Sequence, residues 1–318
     1  MYYAGIDIGG TKSAVIIGKV EGENITVVDK ERFSTQAHEP NIMLEKYKTV
    51  LKGLLEKLGI EIAGIGISCG GPLDHKRGII MSPPNLMAWD NIAITDYLTE
   101  AFNVPVSLQN DANACAVAEW KFGAGKGTDN MAFLTFGTGI GAGLILNGKL
   151  FAGNDCMAGE VGHIRAAANG PTGYGKAGSY EGFCSGAGIA KLCADMVTAE
   201  LDNGSYPAIL RRCGSIQEIT AKHVGDMADE GDPLCIEVYR QSGEKLGNLL
   251  SVMIDLLNLD CVVIGSIFMR SEHLIRPAMQ ASINRETLPV SNRRCRILPS
   301  GLKETVGDIA AICVAIAG

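Results

Sequence analysis

The chain has 318 residues, of which 47% are hydrophobic and 20% are charged, a balance typical of a folded globular protein long enough for two domains. Its net charge of -7 argues against general nucleic-acid binding, because a phosphate backbone is bound by basic surfaces. No apolar stretch is long enough to cross a membrane and no signal peptide is evident at the N-terminus, so we expect a cytoplasmic protein without a membrane partner.

The first half of the chain has the pattern of strands and helices joined by glycine-rich turns. The predicted elements are strands at residues 2–8, 13–17 and 25–28, a helix at 41–58, a strand at 62–68, a helix at 94–102, a strand at 104–108 and a helix at 112–122. Asn110 and Asp111 therefore lie between a strand and a helix, where ligand sites of α/β proteins gather. The pair is either a helix cap or part of a catalytic site, and the pattern alone favours the cap.

The second half repeats the opening pattern. Residues 131–136 and 142–146 predict strands around a second glycine-rich turn, and Asn147 with Gly148 predicts a hairpin turn. The remaining predicted elements are a long loop at 151–185, a helix at 233–257, a strand at 261–264 and an apolar helix at 306–317. The repeated hairpin indicates a duplicated unit and two α/β lobes.

Both glycine-rich turns, at residues 9–12 and 137–141, have the chemistry of an anion site. Glycine lets backbone amides approach an anion, Thr11 and Thr138 add hydroxyls, and Lys12 adds a positive charge. A tight hairpin without a ligand is the alternative. The sequence contains no Walker A loop, and a strand follows residues 137–142 where a dinucleotide fingerprint requires a helix.

Three polar residues of the long glycine-rich region, Glu160, His163 and Glu181, suit sugar hydroxyls because carboxylates and imidazoles form directional hydrogen bonds. Such residues in a loop are more often ordinary surface groups, so alone they indicate little. The ten cysteines are scattered without a C-x-x-C pair, which predicts small core residues in a reducing compartment and no zinc ribbon.

Taken together, six motifs in this order resemble the ROK family, named for repressors, open reading frames and kinases. They lie at residues 7–12, 71–74, 84–89, 110–119, 136–141 and 159–163. The resemblance covers nearly the whole chain and implies an α/β protein of the actin-like ATPase (ribonuclease H-like) fold, with two lobes around a central cleft. We place the small lobe at 1–114, with 303–318 packed on it, and the larger lobe at 115–302.

The resemblance also implies roles for single residues. Asp111 matches the catalytic base, and Asp7 matches the acidic residue near magnesium. The residues that match the sugar ligands are Gly71, Asn85, Asn110, Asp111, Glu160, His163 and Glu181. The residues that match phosphate- and ATP-binding positions are Asp7, Gly9, Gly10, Thr11, Lys12, Thr138, Gly139, Gly141 and Gly265. An ATP-dependent kinase with Mg²⁺ is the implied activity.

The sequence departs from the family pattern in two places. Many relatives hold a structural zinc with a histidine and three cysteines, and those cysteine positions here are Thr172, Tyr174 and Ser179. Hydroxyls are poor zinc ligands, so we expect no bound zinc and a loop held by packing of Tyr174, Tyr180 and Phe183. The family's glycine triplet beside adenine is Gly265, Ser266 and Ile267 here, which leaves strict ATP preference open.

These features predict a hexose kinase. Glucose is the expected sugar, because residues 84–91 resemble the glucokinase members. Fructose, mannose, allose and N-acetylhexosamine kinases need nearly the same polar ligands. A sugar sensor without catalysis and an actin-like ATPase acting on proteins are the other hypotheses. Because the fold starts at residue 2, we do not expect a repressor's N-terminal DNA-binding segment. Relatives are commonly dimers, so we expect a homodimer.

Overall fold

The computed structural model describes residues 1–154 and 156–317. The strands are β1 (Tyr2–Ile8), β2 (Lys12–Glu21), β3 (Asn24–Ser34), β4 (Ile65–Cys69), β5 (Leu73–Asp74), β6 (Ile79–Ile80), β7 (Ile92–Ala93), β8 (Val106–Asn110), β9 (Met131–Phe136), β10 (Ile140–Leu146), β11 (Lys149–Phe151), β12 (Thr172–Gly173), β13 (Lys176–Ala177), β14 (Cys261–Ile264) and β15 (Arg296–Pro299). The α-helices are α1 (Pro40–Leu58), α2 (Ile94–Phe102), α3 (Asp111–Phe122), α4 (Tyr180–Cys184), α5 (Gly186–Asp202), α6 (Ala208–Cys213), α7 (Ala221–Asp229), α8 (Pro233–Leu257), α9 (Ile267–Glu286), α10 (Pro289–Arg294) and α11 (Val306–Ala317).

These elements form two compact units. The first contains residues 1–129, 143–158 and 301–318, and the second contains residues 130–142 and 159–300. The lobe boundaries inferred from the sequence differ from these units at 115–129, 143–158 and 301–302, and the lobe division itself stays a prediction. No helix in the described part of the chain has the length and apolar character of a membrane span.

The first unit is built on a sheet with strand order β3-β2-β1-β4-β8. β1 pairs antiparallel with β2 and parallel with β4, and β4 pairs parallel with β8. In this register Ile8 lies opposite Cys69, and Cys69 lies opposite Asn110. The carboxyl ends of β1, β4 and β8 therefore meet at one edge of the sheet.

The two faces of this sheet are covered by different helices, as the alternation of strand side chains requires. Ile6 and Val15 belong to a core that includes Tyr47 and Leu51 of α1, while Ile16 on the opposite face packs with Ala311 of α11. Close approach of α11 needs strand positions without side chains. A Cβ at Gly5 would lie 2.9 Å from Cβ of Ala311, and a Cβ at Gly66 would overlap the Ala311 carbonyl oxygen.

The second sheet has the order β11-β10-β9-β14-β15, in which β14 is parallel to both β9 and β15. The pair α8 and α9 packs closely because α8 has glycines at the contact. A Cβ at Gly243 would lie 2.5 Å from the Ile275 carbonyl oxygen of α9, and a Cβ at Gly247 would lie 2.4 Å from the Met279 carbonyl oxygen. Both distances are too short for a side chain. α8 begins where Asp232 accepts a hydrogen bond from the Cys235 amide at 2.9 Å, a normal N-cap.

Most of the predicted elements are confirmed, with α2, β9, α8, β14 and α11 at their predicted bounds. The predicted hairpin is also confirmed, since Asn147 and Gly148 have φ of 53° and 68° between the paired residues Leu146 and Lys149. The predicted long loop at 151–185 was wrong in part, because it contains β12, β13 and α4, which are too short to show a sequence period.

A pair of glycine substitutions tests the packing of α11 on the first sheet. We expect Gly66→Ala to lower the free energy of unfolding by about 1–3 kcal/mol or more, because the new methyl group overlaps backbone atoms. Gly53→Ala in α1 is the matched control: no atom lies within 4 Å of its Cβ position, so alanine should stabilise the helix by about 0.5–1 kcal/mol. Thermal unfolding of both variants measures the contrast, and equal shifts would contradict it.

Candidate functional site

The strand-to-helix junction of the first unit separates the two predicted roles of Asn110 and Asp111. Asn110 is the N-cap of α3, since its Oδ1 accepts hydrogen bonds from the amides of Ala112 at 3.0 Å and Asn113 at 3.3 Å. Asp111 is the first residue of the helix and is exposed, with Oδ1 accepting from the Ala112 amide at 2.8 Å. The cap hypothesis therefore holds for Asn110 and leaves the Asp111 carboxylate available for chemistry.

Two carboxylates, those of Asp7 and Asp111, lie near each other at this edge of the sheet. Asp111 is reached by solvent, yet close packing of protein atoms around it removes part of its hydration and raises its pKa. Asp7, one residue before the end of β1, has a pKa raised to about 6 by burial first, and then by the charges of Asp111 and Asp308. Lys30 and Arg32 act in the opposite direction on Asp7. A negative pair of this kind is a suitable neighbour for a cation.

The first glycine turn is held by a polar network beneath it. The Gly9 amide donates to the Lys12 carbonyl at 3.1 Å and closes the turn. The Thr35 hydroxyl donates to the Gly9 carbonyl at 2.7 Å, and Ser13 Oγ lies 2.8 Å from Thr35 Oγ1. Thr11 and Lys12 are exposed. The turn is thus fixed from below, and it presents Gly10, Thr11 and Lys12 to solvent.

Asn85 lies directly against this turn, because a Cβ at Gly10 would overlap Cβ of Asn85. Its segment is anchored by the buried side chains of Leu86 and Trp89, while Asn85 itself is exposed. The Trp89 amide donates to the Leu86 carbonyl at 2.8 Å, which fixes the local turn. The structure therefore brings a predicted sugar ligand and a predicted phosphate turn together.

Gly71 occupies the matching position after β4. A Cβ added there would lie 3.3 Å from Nδ2 of Asn110, so glycine leaves room for that amide group. Within the first unit, the sheet edge thus gathers Asp7, residues 9–12, Gly71, Asn85, and the pair Asn110 and Asp111, because the register of β1, β4 and β8 aligns their ends.

The second glycine turn is built in the same way. The Gly137 amide donates to the Gly139 carbonyl at 3.0 Å, and the Gly186 amide, at the start of α5, donates to the Gly137 carbonyl at 2.7 Å. The Gly141 amide donates to Thr135 Oγ1 at 3.0 Å, so Gly141 is engaged within the hairpin. Thr138 and Gly139 remain at the tip of the turn.

Glu181, in the first turn of α4, reaches the same turn. Its Oε2 accepts a hydrogen bond from the Ile140 amide at 3.3 Å, and a Cβ at Gly139 would lie 2.6 Å from that oxygen. Glycine at 139 is therefore required for the carboxylate to approach. A predicted sugar ligand again lies beside a predicted phosphate turn, as Asn85 does in the first unit.

The segment with Glu160 and His163 packs along β10. A Cβ at Gly159 would overlap the Ala142 carbonyl, and one at Gly162 would overlap the Ile140 carbonyl. Glu160 and His163 are both exposed beside these closely packed glycines. The His163 ring lies edge-on to Tyr174 at 5.9 Å, and Lys176 donates to the His163 carbonyl at 2.7 Å.

The three hydroxyl residues at the relatives' cysteine positions do not form a zinc site that fits the metal. Ser179 is buried as the N-cap of α4, accepting from the Gly182 amide at 3.2 Å, and Tyr174 is 63% exposed. No group of three metal-binding His, Cys, Asp or Glu side chains occurs among residues 1–154 and 156–317. Tyr180 and Phe183 are buried, whereas Tyr174 is exposed and its ring contacts the His163 ring.

A cavity of about 880 Å³ lies in the second unit beside the glycine turn. It is bordered by Gly137 and Thr138, by Ser266 and Ile267 at the start of α9, and by α7, and its volume suits a small molecule. Gly265 lies one residue away, where a Cβ would be 3.0 Å from the Phe133 ring. The glycine expected to approach a nucleotide base thus packs on the core.

Ser266 itself has a backbone conformation that disfavours side chains, with φ of 59° and ψ of -117°. Such conformations cost roughly 1–3 kcal/mol for residues other than glycine. Lys222 and Arg270 also border this cavity, although no sequence motif marks either of them. Both lie on amphipathic helices, where a cation is indistinguishable by pattern from a solvent-facing residue.

Comparison with known proteins identifies the family. The family model described as "ROK family" matches residues 3–317. The chain belongs to the ROK family. A glucokinase from Thermotoga maritima is 28% identical over 312 residues, covering 98% of this chain and 96% of that protein. A xylose repressor from Caldicellulosiruptor bescii is 27% identical, covering 98% of this chain and 77% of the repressor.

Among solved structures, a ROK family glucokinase from Streptomyces griseus in complex with glucose and AMPPNP has a TM-score of 0.80 and 27% identity, with both chains covered completely. The predicted fold class is confirmed: the protein has the α/β actin-like ATPase fold of the ROK kinases. The matched relatives include sugar kinases and repressors, so family membership leaves the choice between these activities to the site residues.

The raised pKa of Asp7 predicts a pH-dependent stability difference. Because its folded pKa, about 6, exceeds the ordinary aspartate value of 3.8, the folded state binds this proton more tightly than the unfolded state. This contribution is complete below about pH 4 and is lost as the pH rises through 6. We expect Asp7→Asn to be more stable than the wild type at pH 8, with the difference shrinking toward pH 4. Melting temperatures across this range measure it, and a constant difference would contradict it.

Proposed function

We propose that this protein is an ATP-dependent hexose kinase in which Asp111 is the general base. The observation that carries the proposal is the division of labour at the start of α3: Asn110 caps the helix, and the exposed Asp111 carboxylate lies beside it at the sheet edge. A base must reach the hydroxyl whose proton it accepts. Oδ1 of Asp111 accepts from the Ala112 amide, and the carboxylate has a second oxygen, Oδ2, for this role.

In the proposed reaction, Asp111 orients a sugar hydroxyl and accepts its proton as the hydroxyl oxygen attacks the γ-phosphorus of ATP. The bond between that phosphorus and the β–γ bridging oxygen breaks, and ADP leaves with the electron pair. Loss of hydration raises the pKa of Asp111. The carboxylate is therefore a stronger base toward the sugar hydroxyl than an ordinary aspartate. Phosphoryl transfer depends mainly on positioning and on neutralising charge. Gly10, Thr11 and Lys12 in the first unit, and Thr138 and Gly139 in the second, would supply amide, hydroxyl and ammonium donors to the phosphates.

Asp7 is the residue that would hold Mg²⁺ with the nucleotide. A divalent cation bound there supplies charge neutralisation for the phosphates, and the mutual repulsion of Asp7 and Asp111 favours a cation beside them. We place the base and ribose of the nucleotide in the cavity beside Ser266 and Ile267. Gly141 and Gly265 would support the nucleotide site indirectly. Gly141 holds the glycine turn through its hydrogen bond to Thr135, and Gly265 packs on Phe133.

The proposed sugar ligands are Asn85, Asn110 and Gly71 of the first unit and Glu160, His163 and Glu181 of the second. We propose glucose as the sugar, because the Thermotoga maritima relative is a glucokinase and the Streptomyces griseus relative was solved with glucose and AMPPNP. Kinases for other hexoses or N-acetylhexosamines require nearly the same donors and acceptors, so pocket shape decides among them.

A non-catalytic sugar sensor is the second candidate, and Ser266 is the observation that favours it. Ser266, which has a strained backbone conformation, borders the cavity at a position where the family resemblance predicts glycine. Its side chain would keep a nucleotide base farther from the backbone than glycine would. Sugar binding without ADP production would support this candidate. A homodimer and a cytoplasmic location stay predictions; light scattering at several concentrations tests the first.

Replacing the proposed base separates catalysis from binding. We expect Asp111→Asn to lower turnover by about 10²–10⁴ while sugar binding persists, because asparagine keeps the shape and loses the proton acceptor. Asp195→Asn, at an exposed position of α5, is the matched control and should keep full activity. Coupled ADP release and calorimetric sugar titration measure the two effects. Near-normal turnover in Asp111→Asn would refute the assignment.

A sugar panel tests the substrate and the metal together. We expect ADP release with glucose to exceed that with fructose, mannose, allose and N-acetylhexosamines when MgATP is supplied. EDTA in excess over Mg²⁺ should abolish turnover, whereas a zinc-selective chelator should leave it unchanged, since Thr172, Tyr174 and Ser179 are unsuited to zinc. Inactivation by the zinc-selective chelator would contradict the absence of a structural zinc. Faster ADP release with another sugar would make that sugar, not glucose, the proposed substrate.

A further inference from the structure

We propose that the first unit contains a second binding site, for a small organic anion with an apolar body, in a cavity beside the edge strand β8. The cavity has a volume of about 390 Å³, within the range of small-molecule sites. All of its lining residues belong to the first unit. None of them is among the proposed sugar or nucleotide residues, so this is a separate site.

The apolar residues that line the cavity favour a ligand with an apolar body. β8 is the last strand of its sheet, and residues of β8, α3 and α11 line the cavity. The apolar lining comes from Val106, Leu108, Ala114, Val117, Leu150 and Val314. A ligand with an aromatic or aliphatic body would remove this surface from water, which favours binding.

The rim sets the charge of the ligand. Lys76 and Arg77 are exposed at the cavity, and no ion pair of either side chain is found in the described parts of the chain. Their backbone amides each donate to Asp74 Oδ1 at 3.0 Å, which fixes the loop that carries them. Asp96 is the carboxylate of the lining. Two cations against one anion favour a carboxylate, sulfonate or phosphate group.

Gln109 connects this cavity to the end of β8. Its side chain lines the cavity, and its Oε1 accepts hydrogen bonds from the Asn110 amide at 2.8 Å and from Asn113 Nδ2 at 3.2 Å. A ligand that contacts Gln109 would therefore act on the start of α3, which carries Asp111. The binding site stands without the kinase activity, whereas an effect on turnover would rest on the proposed function.

The probe for the site is 8-anilinonaphthalene-1-sulfonate, an aromatic anion whose fluorescence rises in apolar surroundings. We expect saturable binding to the wild type at one site, and saturating glucose and AMPPNP should not displace the probe. The double variant Lys76→Gln/Arg77→Gln should weaken it about five-fold, because each exposed ion pair contributes modestly. The control Arg293→Gln/Arg294→Gln removes two adjacent exposed charges on α10 and should leave binding unchanged.

Two further measurements distinguish this cavity from general surface adsorption. N-phenyl-1-naphthylamine, which lacks the sulfonate, should bind the wild type and Lys76→Gln/Arg77→Gln equally. Val117→Trp, which fills the cavity from α3, should reduce binding of both probes at least about ten-fold. Absence of saturable binding, equal weakening in the α10 control, or displacement by glucose and AMPPNP would overturn the proposal. If Val117→Trp fails to fold, the charge variants alone decide.

Discussion

The parallel pairing of β1, β4 and β8 is the constraint on which the candidate site depends. Hydrogen bonding in this register places Ile8, Cys69 and Asn110 side by side, so the chain segments that follow these strands leave the sheet together. A slip of one residue would turn every side chain of a strand to the other face. The buried alternation of Ala4, Ile6 and Ile8 against α1 prevents such a slip, since these residues would lose their core contacts. Core packing thereby fixes the position of Asp111 relative to Asp7.

A second principle recurs in both units: a glycine turn lies directly against a polar side chain from a distant segment. Gly10 meets Asn85, and Gly139 meets Glu181, and in each case a methyl group would collide with the partner. The proposed phosphate turns and the proposed sugar ligands are thus in direct contact within each unit. If the proposed function holds, a change in the position of either polar side chain would be felt at the neighbouring turn, because the contact leaves no free space.

The sequence predicted the helices α1, α8 and α11 well, because each depends on a local pattern, whereas no bounds were predicted for the long helices α5 and α9. α8 was predicted at its observed bounds from the helical pattern of residues 233–257. The Asn147–Gly148 turn was predicted from two residues that tolerate positive φ. Site residues could be predicted from the sequence only where they belong to a recognisable motif. Glu181 against the Ile140 amide, and Gln109 against Asn113, are contacts formed by tertiary packing, which no local pattern records. The division of roles between Asn110 and Asp111 also needed the backbone geometry, because both residues favour caps.

The most direct test of the central claim is ³¹P nuclear magnetic resonance of the protein with MgATP and glucose, with Asp111→Asn alongside. The account predicts that the γ-phosphate resonance of ATP declines while a sugar phosphomonoester resonance and ADP appear in equal amounts, and that the variant shows this change far more slowly. Formation of inorganic phosphate without a phosphomonoester, or an unchanged ATP spectrum from well-folded wild-type protein that binds glucose, would contradict the assignment of a hexose kinase.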